Sequence, residues 1–249
     1  MKGLFTVAAC VSIVAVFIIC IFMFANGLPA IMEIGPLNFL TGIEWRPNND
    51  IYGILPMIVG SVLTTIGALI IGAPIGILSA VFLAFYCPKK IYPVLKSGVQ
   101  LLAGIPSVVY GFFGLMVLVP FVREVFGGRG LSVLTASVLL GMMILPTIIS
   151  VSESSIRAVN TSYYEGSVGL GRAIGETMAV IMVAGNQAAI PKALTDGVRT
   201  MTTNIVMEMG YAVDLHRQAL IGTAVVLFIF ILIINFLLAI LKRGDQQND

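Results

Sequence analysis

Charge is what this 249-residue sequence has least of. Only 10% of its residues are Asp, Glu, Lys or Arg, whereas 58% are hydrophobic, and the mean hydropathy is +1.03. A soluble domain is about half apolar and a quarter charged, so a lipid solvent is needed to cover this much apolar surface. The net charge of +2 and the lack of a basic run argue against a nucleic-acid partner. The composition predicts a membrane protein in contact with membrane lipid.

Residues that could hold a metal or form a disulfide are also scarce. Cys10 and Cys20 share one apolar run and would lie about 15 Å apart on a helix, too far to bridge, while Cys87 ends another run. We expect all three to be buried, apolar-like side chains. The single histidine, His216, has no Cys or second His at metal-ligand spacing and is predicted to lie in a loop.

Motifs for nucleotide hydrolysis and other catalysis are missing from the sequence. It contains no Gly-x-x-x-x-Gly-Lys-Ser/Thr loop and no His-Glu-x-x-His. No Ser-His-Asp arrangement is visible either. We therefore expect no catalytic residue, no metal site and no cofactor bound by this chain. Any ATP-driven work would have to come from a partner subunit.

Six apolar stretches are long enough to cross a hydrocarbon core of about 30 Å at about 1.5 Å per residue. The first follows Lys2 and exceeds a signal-peptide core, so we expect it to be retained as a helix. Pro74 and Pro106 predict kinks in the second and third stretches. The prediction is an all-α, single transmembrane domain over residues 1–249, with spans at approximately 4–25, 56–86, 94–121, 131–151, 166–186 and 219–241.

Lysine and arginine positions predict the orientation. Counted from a cytoplasmic N-terminus, basic residues are about twice as dense in the inside segments as in the outside ones. The short loop with Lys89, Lys90 and Lys96 gives the strongest indication. We expect both termini in the cytoplasm.

The fifth stretch carries an unusual charged pair, Arg172 and Glu176. Four residues apart on a helix, the two side chains share one face and can pair. A charge at mid-bilayer costs about 2.5–3.5 kcal/mol, so such residues need each other, a partner helix or a wet pathway. The pair is either a salt bridge that holds helices in register or part of an anion pathway, because an arginine fork suits an oxyanion. Thr177 follows the pair, and Gly171 and Gly175 would let another helix approach closely.

Glycine and proline also interrupt the third stretch at Gly104, Pro106 and Ser107. Such residues either make room for a packed helix or open the backbone toward a cavity, and both readings stay open here. For the glycine-rich segment 72–76 of the second stretch we favour packing. Trp45 and Tyr52, just before that stretch, suggest an interfacial aromatic belt.

Several segments together resemble the PstC family of bacterial ABC phosphate transporter permeases. Residues 101–114 read Leu-Leu-Ala-Gly-Ile-Pro-Ser-Val-Val-Tyr-Gly-Phe-Phe-Gly, and residues 171–180 read Gly-Arg-Ala-Ile-Gly-Glu-Thr-Met-Ala-Val. Residues 144–150 and a loop with Met-Glu-Met-Gly at 207–210 match as well. The resemblance covers nearly the whole chain.

The resemblance implies a type I ABC importer permease in the bacterial inner membrane. Its partners would be a PstA-type permease subunit, a PstB-type ATPase dimer and a PstS-type phosphate-binding protein. ATP would be used by the ATPase. Arg172 and Glu176 match the residues that this family is thought to use along its phosphate pathway.

The sequence departs from the family in the cytoplasmic coupling loop, residues 152–167. Its opening, which ends at Glu165 and Gly166 and would contact the ATPase, is present. About thirty residues of the family pattern are then missing, and a helix from Gly166 to Arg172 rises only about 9–10 Å. Arg172 would therefore lie closer to the cytoplasm than in the family. The alternatives are a coupling-defective permease, a non-transporting membrane partner of the same complex, or a permease for another oxyanion.

Overall fold

Helices make up most of the described chain. The structure is a computed structural model that describes residues 2–157 and 176–245. The first half consists of α1 (Lys2–Ile34), α2 (Pro36–Thr41), the strands β1 (Trp45–Arg46) and β2 (Ile51–Tyr52), α3 (Leu55–Val81) and α4 (Tyr92–Gly104). The second half consists of α5 (Ser107–Phe113), α6 (Val119–Phe126), α7 (Val133–Arg157), α8 (Met178–Val183), α9 (Met201–Glu208) and α10 (Asp214–Asp245).

Three irregular turns connect these elements. A 3₁₀ turn, Pro47–Asn49, joins the two antiparallel strands, in which Trp45 pairs with Tyr52. The wider π-helical turns Phe82–Tyr86 and Gly114–Leu118 continue α3 and α5. Such turns shift the side-chain register within an otherwise continuous helix.

The described helices confirm an all-α membrane protein. Within residues 2–157 and 176–245, five helices are long and apolar enough to cross a membrane. They are Gly3–Ile34, Leu55–Tyr86, Ser107–Phe126, Val133–Ile156 and Asp214–Leu238. The first part of the predicted fifth span, 166–175 of 166–186, lies outside the described residues, and α8 is the described helical part of this span.

The third predicted span, 94–121, is wrong as a single kinked helix. The chain ends α4 at Gly104 and starts α5 at Ser107, with Pro106 in an extended conformation between them. Proline lacks a backbone N–H and disfavours a helical residue before it, so the helix ends instead of bending. The Tyr110 hydroxyl donates to the carbonyl of Leu102 at 3.0 Å and so bridges the break. The membrane-crossing part of this region is Ser107–Phe126.

Glycines let α3 and α7 pack closely along their length. A Cβ atom on Gly72 would lie 2.9 Å from the carbonyl oxygen of Gly141, and one on Gly76 would lie 2.6 Å from Ile148 Cγ2. Side chains at these positions would force the helices apart, which confirms packing for residues 72–76. This contact builds the first of two buried cores, with Ala68, Leu139, Leu140, Ile144, Val180 and Val183 among its members.

The second core joins α1, the strands and α10. Phe39, Ile54, Met57 and Leu220 are buried in it. The rest of α1 is bare: its side chains are mostly exposed from its N-terminal end to Phe22. Cys10 is exposed there, which contradicts its predicted burial, although all three cysteines are free as expected.

Candidate functional site

Most of the predicted pathway motif lies outside the described residues. Gly171, Arg172 and Gly175 belong to that part, and so do the predicted ATPase-coupling residues Glu165 and Gly166. Of this motif, the structure therefore describes only Glu176 and Thr177.

Glu176 and Thr177 directly precede α8 rather than lying inside a helix. The helix begins at Met178, and the carbonyl of Thr177 accepts the amide of Ile181 at 2.9 Å, so Thr177 is the N-cap. Both side chains are half-buried. A helix that runs through Glu176 was expected, and the structure differs at this point. The argument that Arg172 and Glu176 share one helical face therefore does not apply at the Glu176 end.

The break between α4 and α5 lies at the same end of the packed pair α5 and α8. A Cβ on Gly111 would meet Met182 and Ala179, and a Cβ on Gly114 would meet Val183. Because the contacts advance together along both helices, α5 and α8 run in the same direction. Gly111 thus lies at the level of the start of α8, and Ser107 lies one turn before that level, on the side of Glu176. No pattern in the sequence indicated this juxtaposition.

Gly104 and Pro106 face away from the described helices. Both are exposed, and a Cβ atom on Gly104 would meet nothing within 4 Å. No described helix of this chain packs on Gly104, so the close approach that glycine permits is available to something other than the described part of the chain.

A buried carboxylate that no local pattern predicted organises the other end of the molecule. Glu208 is 6% exposed. Its Oε1 accepts Nη1 of Arg199 at 2.6 Å. Its Oε2 accepts Nε1 of Trp45 at 2.7 Å and lies 2.8 Å from Nε2 of His216. Burial of a charge is tolerated when it is paired and hydrogen-bonded, and Glu208 meets both conditions.

Arg199 extends this network to the end of α8. Its Nε donates to the carbonyl of Asn186 at 3.2 Å, and Nη1 also donates to Oδ1 of Asn204 at 3.0 Å. The ring of Tyr52 stacks on His216, with 6.1 Å between the ring centroids. Burial, with the nearby charge of Asp50, raises the pKa of Tyr52 to about 12, so its phenol stays neutral at physiological pH. We call Glu208, Arg199, His216 and Trp45 the Glu208 network.

The Glu208 network corrects three sequence-based expectations. His216 lies in the first turn of α10, not in a loop. Trp45 and Tyr52 are buried at 8% and 2% exposure, so they do not form an interfacial belt. The predicted loop 207–210 contains the last turn of α9, which ends at Glu208. The motif at 207–210 was the one sequence signal for this site, and it did not reveal the partners of Glu208.

A second buried carboxylate, Glu153, ties α4 to α7. It is 2% exposed, accepts the hydroxyl of Tyr92, and has Nζ of Lys96 at 3.3 Å from Oε2. Lys96 in turn donates to the Tyr92 hydroxyl at 2.9 Å. We call Glu153, Tyr92 and Lys96 the Glu153 cluster.

Metal binding has no support in the described residues. Across 2–157 and 176–245, no group of three or more His, Cys, Asp or Glu side chains could hold a metal ion. The donors around Glu208 satisfy a carboxylate already, and the chemistry they allow is structural pairing.

Comparison with known proteins identifies the family. The chain matches no protein-family model and no solved structure. It is 36% identical to the probable ABC transporter permease protein YqgH of Bacillus subtilis (strain 168), over 95% of this chain and 90% of that protein. It is 31% identical to the phosphate transport system permease protein PstC of Mesorhizobium japonicum, over 90% of this chain and 82% of that protein.

A third relative shows that this chain is short. The PstC protein of Xylella fastidiosa (strain Temecula1) is 30% identical, over 100% of this chain and 92% of the relative. That alignment has 299 positions for a chain of 249 residues, so roughly 50 of its positions are gaps in this chain. The predicted loss of family residues agrees with gaps on this scale, although the comparison does not locate them. Similarity of this extent over nearly the full length shows that the chain belongs to the PstC family of phosphate transport system permease proteins.

Proposed function

We propose that this chain is the transmembrane subunit of an ATP-driven inorganic phosphate importer and forms half of its translocation pathway. Its similarity to PstC proteins over nearly the whole chain carries this proposal. The long apolar helices support a multi-pass location in the inner membrane. The chain itself binds no ATP in this proposal, because it has no phosphate-cradling loop.

The pathway is proposed to run past Arg172 and Glu176. Glu176 sits beside the N-cap of α8, and the break before Ser107 lies at the same end of the α5–α8 pair. A carboxylate, a threonine and a broken helix at one end of this pair are polar features in an otherwise apolar region. Arg172 would contact the anion transiently, and Glu176 would pair with Arg172 and keep the anion affinity low enough for release.

The partners are also proposals. The exposed surface at Gly104 and Pro106 would bind a PstA-type permease subunit, because no described helix covers it. Glu165 and Gly166 would contact a PstB-type ATPase dimer. A PstS-type binding protein would deliver phosphate from the outside.

Uptake of radiolabelled phosphate into vesicles tests the pathway residues. We expect Arg172→Gln to abolish uptake, since the charged fork is lost, while membrane insertion stays normal. Arg129→Gln is the matched control, because Arg129 is exposed in the loop between α6 and α7. Full uptake by Arg172→Gln would overturn the pathway role and leave the family membership intact.

A coupling-defective or non-transporting partner is the second candidate function, favoured by the roughly 50 gap positions in the alignment of 299 against 249 residues. Co-purification in detergent separates the two. A competent permease retains the ATPase, and phosphate-loaded binding protein stimulates its ATP hydrolysis. A non-transporting partner retains only the PstA-type subunit. Competition of sulfate and molybdate against phosphate uptake tests the third alternative, a permease for another oxyanion.

A further inference from the structure

An apolar groove opens where the end of α3 meets α4 and α7. Its volume is about 450 Å³. Helix α3 contributes the last turns before the loop at residues 87–91, and the π-helical turn Phe82–Tyr86 widens the helix at this point. The apolar side chains that line the groove are Leu78, Phe82, Leu83, Leu95, Val99 and Ile149.

The groove has no free polar group along its apolar body. Its one hydroxyl, on Ser79, donates to the carbonyl of Ile75 at 2.7 Å and is therefore satisfied within α3. Leu83 is buried in the floor, whereas Leu78 and Phe82 stand exposed at the sides. Leu78 and Phe82 are exposed on a membrane-crossing helix, so the apolar lining of the groove suits contact with hydrocarbon.

One end of the groove is polar. Glu153 follows Ile149 by four residues on α7, and Tyr92 and Lys96 flank Leu95 on α4. On a helix, four residues are about one turn, so the Glu153 cluster lies about one turn beyond the apolar body. Lys96 keeps 43% of its side chain exposed there, even though it pairs with Glu153.

The surroundings of this polar end are basic. Residues 79–104 contain no Asp or Glu and include Lys89, Lys90 and Lys96. Lys89 and Lys90 are exposed in the loop between α3 and α4. Glu153 neutralises one of these charges, so a positive surplus remains next to the end of an apolar groove.

We propose that this groove binds one acyl chain of an anionic phospholipid, with the headgroup phosphate held by Lys89 and Lys90. The apolar body with a cationic end has the form of a phospholipid, and lysine stems at a membrane surface place their charges at headgroup level. A neutral phospholipid lacks the net charge that the lysines would recognise. The inference is independent of the proposed phosphate transport.

Native mass spectrometry of the full chain in detergent tests this site. The protein is mixed with equal amounts of palmitoyl-oleoyl phosphatidylglycerol or phosphatidylcholine, and the bound lipid retained after activation is counted. We expect one phosphatidylglycerol per chain. In Lys89→Gln/Lys90→Gln we expect its affinity to fall about fivefold per lysine, to the level of phosphatidylcholine.

A matched pair of tryptophan substitutions on α4 tests the groove itself. Val99→Trp fills the groove and should lower phosphatidylglycerol retention about tenfold or more through the lost apolar contact. Val94→Trp adds the same bulk at an exposed position of α4 that does not line the groove, and it should retain the lipid. If Val99→Trp fails to fold, the smaller Val99→Phe replaces it.

Three results would overturn the proposal. Unchanged retention in Val99→Trp or Val99→Phe would show that the lipid binds elsewhere. Equal retention of the two phospholipids by the unmodified chain would remove the role of the lysines. A chain that retains no lipid would show that the groove is closed or is covered by protein.

Discussion

Two buried carboxylates, Glu208 and Glu153, differ in the number of described elements that supply their partners. Glu208 gathers a hydrogen-bond donor from β1, one from the segment before α9 and one from α10. Among the described residues, Tyr92 and Lys96 of α4 bind Glu153. The first carboxylate therefore holds several elements together, and the described contacts of the second join α4 to α7.

The cations that pair with these two carboxylates differ in their access to water. Arg199 has 15% of its side chain exposed, whereas Lys96 has 43%. An ion that reaches solvent can rehydrate when its partner is lost, but a buried ion cannot. Similar burial of two carboxylates therefore does not mean similar importance for stability. Substitutions at the two sites can show whether the burial of the carboxylate or the number of elements that it joins determines the loss of stability.

Glu208→Gln should have the largest effect. The new amide nitrogen would face a donor, and Arg199 would lose its buried counter-charge, at a cost of about 3–5 kcal/mol. We expect a large drop in the thermal unfolding midpoint in detergent, followed by circular dichroism. Glu124→Gln, at an exposed position of α6, is the control. A Glu208→Gln protein as stable as this control would contradict the central role of Glu208.

Trp45→Phe should come next. It removes one N–H donor to the charged carboxylate but keeps an aromatic ring against Tyr52, which suggests a loss of about 1.5–3 kcal/mol in the free energy of unfolding. Circular dichroism suits this variant, because Trp45 is the single tryptophan and fluorescence is lost with it. If the variant unfolds at the midpoint of the unmodified protein, the Trp45 donor does not stabilise Glu208.

Glu153→Gln should cost less than Glu208→Gln, about 1 kcal/mol. The hydroxyl of Tyr92 can rotate to accept as well as donate, and the half-exposed Lys96 can turn to water. The same unfolding measurement applies. Equal losses for the two Glu→Gln variants would show that burial alone, and not the number of joined elements, sets the cost.

Lys96→Arg should have the smallest effect, below about 1 kcal/mol, because it keeps a cation opposite the buried carboxylate of Glu153 on a side chain that reaches solvent. Lys89→Arg is the control, with a lysine that is exposed in the loop. A loss as large as that of Trp45→Phe would mean that Glu153 requires the shape of the lysine side chain and not only a positive charge.

The sequence predicted the parts of the molecule that local composition determines. Apolar length identifies the helices α1, α3, α7 and α10, and the glycines of segment 72–76 predicted close packing but not α7 as the partner. The Glu208 network was not predictable in this way. Trp45 and Glu208 are separated by 163 positions, so no periodic pattern links them.

The places where helices begin and end were also not predictable from apolar length. Apolar residues on both sides of Pro106 read as one span, but the missing proline amide ended the helix, and the Tyr110 hydroxyl bridged the gap. His216 read as a loop residue because it is polar and isolated. Its place in α10 follows from pairing with Glu208, which the linear sequence does not show.

The bare surface of α1 has a consequence for how its sequence can drift. Ile13 and Phe17 stand exposed, so within this chain the fold requires only apolar character there, and exchanges among Leu, Ile, Val and Phe should accumulate without harm. Gly27 tolerates far less substitution than these positions. A Cβ atom there would lie 2.8 Å from Val225 Cγ2 and 3.1 Å from the backbone of Gly222. One helix thus contains a stretch that tolerates substitution freely and, one to three turns later, a position that tolerates almost none.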